Sequence, residues 1–410
     1  MLIEVVDGRF RTVTPDAPVP AGATRLAGVA VPGFANAHSH AFHRALRGRT
    51  SHVGGDFWTW REAMYRVAAR LDPDSYLDLA TAVYAEMALA GVVCVGEFHY
   101  LHDAPDGRPY ASATAMGDAL VAAAARVGIR ITLLDTLYLT ATVDGAPLAG
   151  AQRRFHGGGL PGWQARLAAP APAHARRGAA VHSVRAVPAA LLPQVRRAVA
   201  GLPLHVHLSE QPAENDACLA RYGRTPTDLL AAHGLLGPGT TAVHATHVTA
   251  ADVAALGGSG TGVCLCPTTE RELADGIGPG GALAAAGVPL SLGTDSHTVI
   301  DMGVEARAVE EHERLATGRR GHFDPAALLH AATAAGHAAC GWADAGRIAA
   351  GQRADLVVFA ADSPRTAGVD PAAVLTAATA ADVTLTLCDG RPLDRGALHD
   401  LVRRHRGEAP

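Results

Sequence analysis

Residues 30–40 read AVPGFANAHSH, and this stretch decides the fold. An apolar run closes on two histidines, His38 and His40, with one residue between them. On a β-strand, residues i and i+2 share a face, so both imidazoles can point at one atom. The stretch therefore predicts a strand over residues 30–37 whose carboxyl end carries a pair of metal-binding side chains.

Seven more β-rich runs follow, and Ala-rich amphipathic segments such as 75–90 and 114–127 separate them. Strands that alternate with helices imply a parallel sheet, and eight such units indicate an α/β fold, the (β/α)8 TIM-like barrel. The eight predicted strands are 30–37, 92–98, 129–137, 179–184, 203–208, 240–245, 260–266 and 288–294.

Both ends of the chain depart from this alternation. Residues 1–29 read as short strands with turns, and residues 346–360 and 382–388 return to strand and turn character. The sequence therefore predicts a small β-sandwich-like domain built from residues 1–29 and 346–410, beside a barrel over residues 30–345.

Composition excludes several classes of function. The net charge is −4, so no bulk basic character points to a nucleic-acid partner. All 35 basic residues are arginine, and the lack of lysine excludes Schiff-base chemistry, a Walker loop and a carboxylated lysine between two metals. The six cysteines form no CxxC pair, so we expect no disulfide. No stretch reads as a signal peptide or membrane span, which favours a cytoplasmic protein without a membrane partner.

Metal-binding side chains gather at the carboxyl ends of the predicted strands. A second H-x-H pair, His205 and His207, closes the fifth strand, and Glu210 follows three residues later. His244 ends the sixth strand and Asp295 ends the eighth. A barrel brings these ends to one mouth. Imidazoles and carboxylates suit a catalytic zinc, although residue types alone leave iron and manganese open. For His205, both a ligand and a supporting role stay open.

These residues resemble the motifs of the amidohydrolase superfamily over nearly the whole chain. The matching segments, in the family's order, are 32–40 (PGFANAHSH), 207–210 (HLSE), 243–244 (VH), 294–297 (TDSH) and 351–358 (GQRADLVV). The resemblance implies one zinc ion per subunit, which agrees with the missing lysine, and a homodimer. The implied zinc ligands are His38, His40, His207 and Asp295. The implied catalytic residues are Glu210, His244 and Asp295.

Finer strings resemble one subgroup, the formimidoylglutamate deiminases. They are 57–61 (FWTWR), 97–102 (EFHYLH), 152–155 (QRRF), 182–187 (HSVRAV) and 266–270 (CPTTE). The resemblance implies hydrolysis of N-formimidoyl-L-glutamate to N-formyl-L-glutamate and ammonia by a zinc-activated water, in histidine degradation. The substrate would then be a small dicarboxylate amidine.

The subgroup pattern assigns the substrate contacts to His43, Arg61, Tyr100, His182 and Arg185. An arginine binds a carboxylate through two parallel hydrogen bonds. His182 and Arg185 follow the fourth strand and Tyr100 follows the second, so all three reach the same mouth. Arg61 is expected in an aromatic loop after the first strand. His43 stands where the family often has glutamine, and an imidazole cannot replace both ends of an amide.

Three other functions stay open at this point. A guanine- or cytosine-type deaminase could share the metal site, although a flat neutral ring has little use for two arginines. The change at His43 allows a related N-formimidoyl or guanidino acid as substrate. A catalytically inactive relative would not need the intact ligand set and Glu210.

Overall fold

The computed structural model describes residues 1–51 and 54–404. Its strands are β1 Leu2–Val6, β2 Arg9–Thr14, β3 Val29–Pro32, β4 Phe34–Ser39, β5 Val92–His99, β6 Arg130–Leu137, β7 Ala175–Val181, β8 Leu204–Leu208, β9 Thr240–His244, β10 Gly262–Leu265, β11 Leu290–Leu292, β12 Leu356–Phe359, β13 Val383–Cys388 and β14 Arg391–Pro392. Its α-helices are α1 Phe57–Ala68, α2 Pro73–Leu89, α3 Ala115–Val127, α4 Gly159–Leu167, α5 Leu192–Ala198, α6 Pro212–Tyr222, α7 Pro226–Ala232, α8 Ala250–Ser259, α9 Pro267–Glu272, α10 Gly280–Ala285, α11 Met302–Thr317, α12 Pro325–His330, α13 Gly336–Ala339 and α14 Arg395–Arg404. Within these two described ranges, no helix is both long enough and apolar enough to cross a bilayer.

Strands β4 to β11 form one eight-stranded parallel sheet whose spatial order follows the chain. The first and last strands meet at a bridge between Ser39 and Asp295, which closes the barrel. Two backbone hydrogen bonds make this seam, from His40 N–H to Asp295 O at 3.2 Å and from Asp295 N–H to His38 O at 3.0 Å. The predicted (β/α)8 barrel is confirmed, and its seam runs through predicted metal ligands.

The seam requires a glycine at position 293. A Cβ atom there would lie 2.7 Å from the His38 Cβ and 2.9 Å from its carbonyl oxygen. Real side chains do not approach so closely, so any larger residue would push the two strands apart. Gly293 thus sets how near the His38 and Asp295 backbones come.

Small side chains fill the barrel interior below the site. Ala35, Cys94, Val243 and Cys264 are fully buried there, and Trp342 closes this cluster. The indole N–H of Trp342 donates to the Thr132 hydroxyl at 3.0 Å, which satisfies its polar atom. All six cysteines are free and buried.

The small sheet joins both ends of the chain, with strand order β14-β13-β12-β3. The predicted single strand at 30–37 is wrong, because it consists of two strands that separate at Gly33. Strand β3 pairs antiparallel with β12, so residues 30–32 belong to the small sheet and only β4 enters the barrel. The hairpin of β1 and β2 forms a separate two-stranded sheet.

The expected aromatic loop around Arg61 is also wrong, because residues 57–68 form helix α1. Asp56 caps this helix, since its carboxylate accepts hydrogen bonds from the backbone N–H groups of Trp58 and Thr59. The run of aromatic residues suggested a loop, but it forms the first turn of a helix that has a polar N-terminal cap.

A buried ion pair locks the small sheet to the barrel. Arg130, in β6, donates to both carboxylate oxygens of Asp355, which directly precedes β12, and to Asp389 Oδ1 at 2.9 Å. Arg130 and Asp355 are each 1% exposed. The guanidinium of Arg130 holds the pKa of Asp355 below its usual range, although burial opposes this. Asp355 is the acid of the 351–358 motif, so this motif has a structural role.

We expect Arg130→Met to lower the free energy of unfolding by about 3–5 kcal/mol, because it leaves Asp355 as an uncompensated buried charge. Differential scanning calorimetry of the variant would show a clearly lower Tm. Arg126→Met is the matched control, because Arg126 pairs with Asp78 on the surface, where both side chains are more than half exposed. Equal Tm values for the two variants would contradict the locking role of Arg130.

Candidate metal centre and active site

One pocket at the carboxyl ends of the barrel strands gathers the predicted site residues. His38 alone lies beneath the pocket wall and is fully buried. The predicted residues that line the pocket are His40, His43, Arg61, Tyr100, His182, Arg185, His207, Glu210, His244 and Asp295. Residues from six different barrel strands or the turns after them therefore reach one cavity.

The predicted ligand atoms converge on one point. His38 Nε2 lies 3.1 Å from His207 Nε2, and His40 Nε2 lies 3.4 Å from the same atom. Asp295 Oδ1 is 3.4 Å from His38 Nε2 and 3.3 Å from His40 Nε2. These separations are close to those between the ligands of a tetrahedral zinc, whose bonds to nitrogen and oxygen are about 2.0–2.2 Å long.

The hydrogen bonds of two rings show which nitrogen of each carries the proton. His40 Nδ1 faces the Phe98 carbonyl and His207 Nδ1 faces the His182 carbonyl, each at 2.9 Å. Each Nδ1 therefore carries the proton, and the two Nε2 lone pairs face one another. Burial and the nearby His38 lower the pKa of His40 to about 3, so the ring stays neutral. Facing lone pairs beside a carboxylate fit a divalent metal such as zinc.

Two residues of the pocket leave their strands in left-handed backbone conformations. His244 has φ of 70° and Asp295 has φ of 42°. Such conformations cost a side-chain-bearing residue free energy, and they cluster at functional sites where the surroundings hold them. Here they turn both side chains towards the mouth, where His244 Nε2 lies 3.7 Å from Asp295 Oδ2.

His244 lies among three carboxylates. Its Nε2 is 3.6 Å from Glu210 Oε1, and its Nδ1 is 3.3 Å from Glu270 Oε1. Burial alone would lower the pKa of His244, but Glu210, Glu270 and Asp295 together raise it well above its usual range. The ring is therefore a cation that can donate from both nitrogens.

Sequence reasoning missed Glu270, which orients the His244 ring. The backbone N–H of Cys266 fixes Glu270 Oε1 with a 2.8 Å hydrogen bond. Glu270 is the last residue of the CPTTE string, which carried the resemblance but no role. The string therefore contained the residue, but Glu270 lies in α9 and its partner His244 ends β9, so nothing in the local pattern connects them.

The geometry of His205 decides between the two roles left open for it. Its Nε2 faces the Ala339 carbonyl at 2.9 Å, away from the converging ligand atoms. Within the described residues, the donor groups that converge around His38 include His207 and not His205. His205 therefore supports the barrel interior.

The outer half of the pocket is rich in hydrogen-bond donors. Arg61 and Arg185 both line it, and the Nε atom of each is buried without a partner among the described residues. Arg61 stacks over the Trp58 ring at 4.4 Å. His43 Nε2 lies 3.0 Å from the Tyr100 hydroxyl. Burial, followed by the nearby His40, lowers the pKa of His43, so its ring is neutral.

Tyr65 and Tyr138 also line this outer half, and sequence reasoning missed both. Gln152 Nε2 lies 3.1 Å from the Tyr65 hydroxyl and 3.3 Å from the Tyr138 hydroxyl. Tyr65 follows Arg61 by four residues in α1, so a helix prediction there would have placed both on one face.

The sequence profile of the amidohydrolase family matches residues 29–393. This chain belongs to the amidohydrolase family. It is 39% identical over 383 residues to a formimidoylglutamate deiminase from Pseudomonas aeruginosa, covering 90% of this chain and 84% of that protein. It is also 31% identical over 411 residues to an 8-oxoguanine deaminase from the same species, covering 93% of this chain and 87% of that protein.

Solved structures agree with this membership. The crystal structure of an amidohydrolase from Brucella melitensis matches with a TM-score of 0.86 and 30% identity, covering 99% of this chain and 95% of that chain. An adenosine deaminase from Xanthomonas campestris with bound zinc matches with a TM-score of 0.83 and 26% identity, covering 99% and 93%. The chain is thus a hydrolytic enzyme of the amidohydrolase–deaminase type, and zinc is the metal that its relatives indicate.

We expect the purified protein to contain about one zinc ion per chain, because four protein ligands form one site. His207→Gln should lose most of this zinc, and its Tm should no longer respond to added zinc, since bound metal stabilises the folded state. Elemental analysis and calorimetry would measure both effects. His205→Gln is the matched control on the same strand and should keep its zinc. Zinc lost from His205→Gln but kept by His207→Gln would contradict the ligand set.

Proposed function

We propose that this enzyme hydrolyses N-formimidoyl-L-glutamate to N-formyl-L-glutamate and ammonia. The observation that carries the proposal is the pair Arg61 and Arg185, whose partnerless Nε atoms line the pocket that contains the metal-type cluster. Buried guanidinium N–H groups need hydrogen-bond partners, and two substrate carboxylates would supply them. The 39% identity to a formimidoylglutamate deiminase supports the same substrate.

His38, His40, His207 and Asp295 would hold the zinc. When bound, the zinc is a Lewis acid that lowers the pKa of a water to about 7 and so makes a nucleophile available near neutral pH. The residues around it then bind, orient and move protons.

Glu210 is positioned to move protons. Burial raises its pKa, although the neighbouring His244 cation opposes this. A carboxyl group with a raised pKa can take a proton from the attacking water and deliver it to the departing amidine nitrogen. The new C–O bond forms at the amidine carbon, the C–N bond to the terminal nitrogen breaks, and that nitrogen leaves as ammonia.

His244 stabilises the tetrahedral stage by donating a hydrogen bond to the oxygen that comes from water. Its protonated ring reaches the mouth through Nε2, while Glu270 holds Nδ1. A donor fixed in place before the reaction stabilises the tetrahedral stage without reorganisation. Glu270 thus acts as a positioning residue for His244.

The substrate tail extends towards the outer half of the pocket. Arg61 and Arg185 bind its carboxylates, and His182 lines the path between them and the cluster. His43 replaces the usual glutamine, and its ring orients the Tyr100 hydroxyl at 3.0 Å. In this arrangement His43 contributes through Tyr100, which needs only one hydrogen bond from an imidazole.

Steady-state assays of ammonia release test the proposal. The zinc-loaded enzyme should turn over N-formimidoyl-L-glutamate and leave 8-oxoguanine untouched, because a neutral ring leaves both arginines unpaired. A guanidino diacid of the same length tests the shifted substrate that His43 allows. Turnover of 8-oxoguanine without turnover of N-formimidoyl-L-glutamate would contradict the proposal.

We expect Arg185→Gln to raise the KM for N-formimidoyl-L-glutamate about 10- to 100-fold, with a smaller change in kcat, because it removes a charged hydrogen bond to the substrate tail. Arg153→Gln is the matched control, since Arg153 is exposed on the neighbouring turn and outside the pocket lining. If the two variants have the same KM, Arg185 has no part in carboxylate recognition.

A further inference from the structure

Two tyrosines from different elements meet at one amide in the pocket wall. Tyr65 comes from α1, and Tyr138 directly follows β6. Gln152, in the turn Gly150–Phe155, is buried behind them and places its Nε2 within 3.3 Å of both hydroxyl oxygens. Its Oε1 faces the Ala149 N–H at 3.5 Å. The amide thus presents its NH2 group to both phenols.

Counting protons fixes the direction of these hydrogen bonds. An amide NH2 group has two protons and accepts none, so each phenol oxygen accepts one proton from Gln152. Each phenol proton must then point to another acceptor. Among the hydrogen bonds of the described residues, neither Tyr65 nor Tyr138 donates one. Both phenols line the pocket, so both free protons are available to a ligand there.

The side chains around the two phenols favour a negatively charged ligand. The guanidinium carbon of Arg61 lies 5.5 Å from the centre of the Tyr65 ring. Burial lowers the pKa of Arg185, but Tyr138, Glu214 and Tyr65 together raise it, so both hydroxyls and the Glu214 carboxyl group lie near that guanidinium. Burial raises the pKa of Tyr65, which keeps its proton on the oxygen. Two neutral donors beside two cations suit an oxyanion.

The pair is separated from the metal cluster by one aromatic ring. The His182 ring lies between them, 4.9 Å from the His207 ring and 4.3 Å from the Tyr138 ring. A ligand whose reacting carbon is near His207 therefore extends past His182 to reach the phenols.

We infer that Tyr65 and Tyr138 form a carboxylate-binding pair, oriented by Gln152, that receives the carboxylate end of the substrate. Both hydroxyls lie close to one nitrogen, so they can bind the two oxygens of one carboxylate. Arg61 and Arg185 supply the positive charge that attracts the carboxylate, and the phenols supply the hydrogen bonds that orient it. The inference rests on the proposed function, because it takes the substrate to be a carboxylic acid. It concerns only how that acid binds, and it holds whichever reaction follows.

The experiment measures binding and turnover separately in zinc-loaded protein. Glutarate, a dicarboxylate without a reactive amidine, is the probe for calorimetric Kd values, and inorganic phosphate is the competing oxyanion. Tyr65→Phe and Tyr138→Phe each remove one donor and keep the ring. Each should weaken glutarate binding about tenfold, because each removes a hydrogen bond to a charged group. Tyr222→Phe, at the carboxyl end of α6 and outside the pocket lining, is the matched control and should leave Kd unchanged.

Gln152→Glu tests the role of the amide directly. A carboxylate at this position accepts the phenol protons and turns both away from the pocket, so glutarate binding should fall further than in either phenylalanine variant. For N-formimidoyl-L-glutamate, all three pocket variants should raise KM and leave kcat within about threefold, since the pair binds the carboxylate end and not the reacting carbon. Zinc content and Tm equal to those of the parent protein show that the variants fold.

The outcomes separate this inference from the proposed function. Glutarate binding that depends on both phenols, without turnover of N-formimidoyl-L-glutamate, supports the pair and contradicts the proposed reaction. If the enzyme turns over N-formimidoyl-L-glutamate but both phenylalanine variants keep the parent Kd for glutarate and the parent KM, the carboxylate-binding pair is overturned. The proposed reaction then still holds. Phosphate that binds more tightly than glutarate, with the same dependence on the phenols, overturns the assignment to a carboxylate.

Discussion

The backbone hydrogen bonds between His38, His40 and Asp295 are the constraint on which the rest of this structure depends. They close the barrel, and the same residues supply three of the four atoms that converge on the metal position. The site and the fold therefore share one seam. Gly293 permits the close approach, and the left-handed turn at Asp295 aims its carboxylate inward. A change that opens the seam removes the metal site at the same time.

The pocket has two chemically different halves. Near the seam, neutral imidazoles and carboxylates present lone pairs, which suits a metal and the transfer of protons. Farther out, arginine and tyrosine side chains present protons, which suits an anion. A molecule with an electrophilic carbon at one end and carboxylates at the other can enter in only one orientation. A pocket with these two halves favours an acyclic dicarboxylate over a planar base, because the donors and acceptors of a base are spread around one ring.

Much of the fold was predictable, because a strand that ends in H-x-H and repeated β/α alternation are local patterns. Such patterns do not show where a strand changes sheets, so the division at Gly33 was missed. They also gave no sign of α1, because FWTWR contains no helical apolar period. The placement of Tyr65 in that helix was missed for the same reason. Glu270 and Gln152 could not be found from spacing, since each acts through partners distant in sequence. Their contacts exist only after the chain is folded.

The seam also sets when the metal site can exist during biosynthesis. Its two edges belong to the first and last barrel strands, so His38 and His40 leave the ribosome long before Asp295 is made. Domains fold from the amino terminus as synthesis proceeds, but this barrel cannot close until β11 has emerged. Metal acquisition is therefore a late event in the life of the nascent chain, and a product truncated before residue 295 has two edge histidines and no enclosed centre.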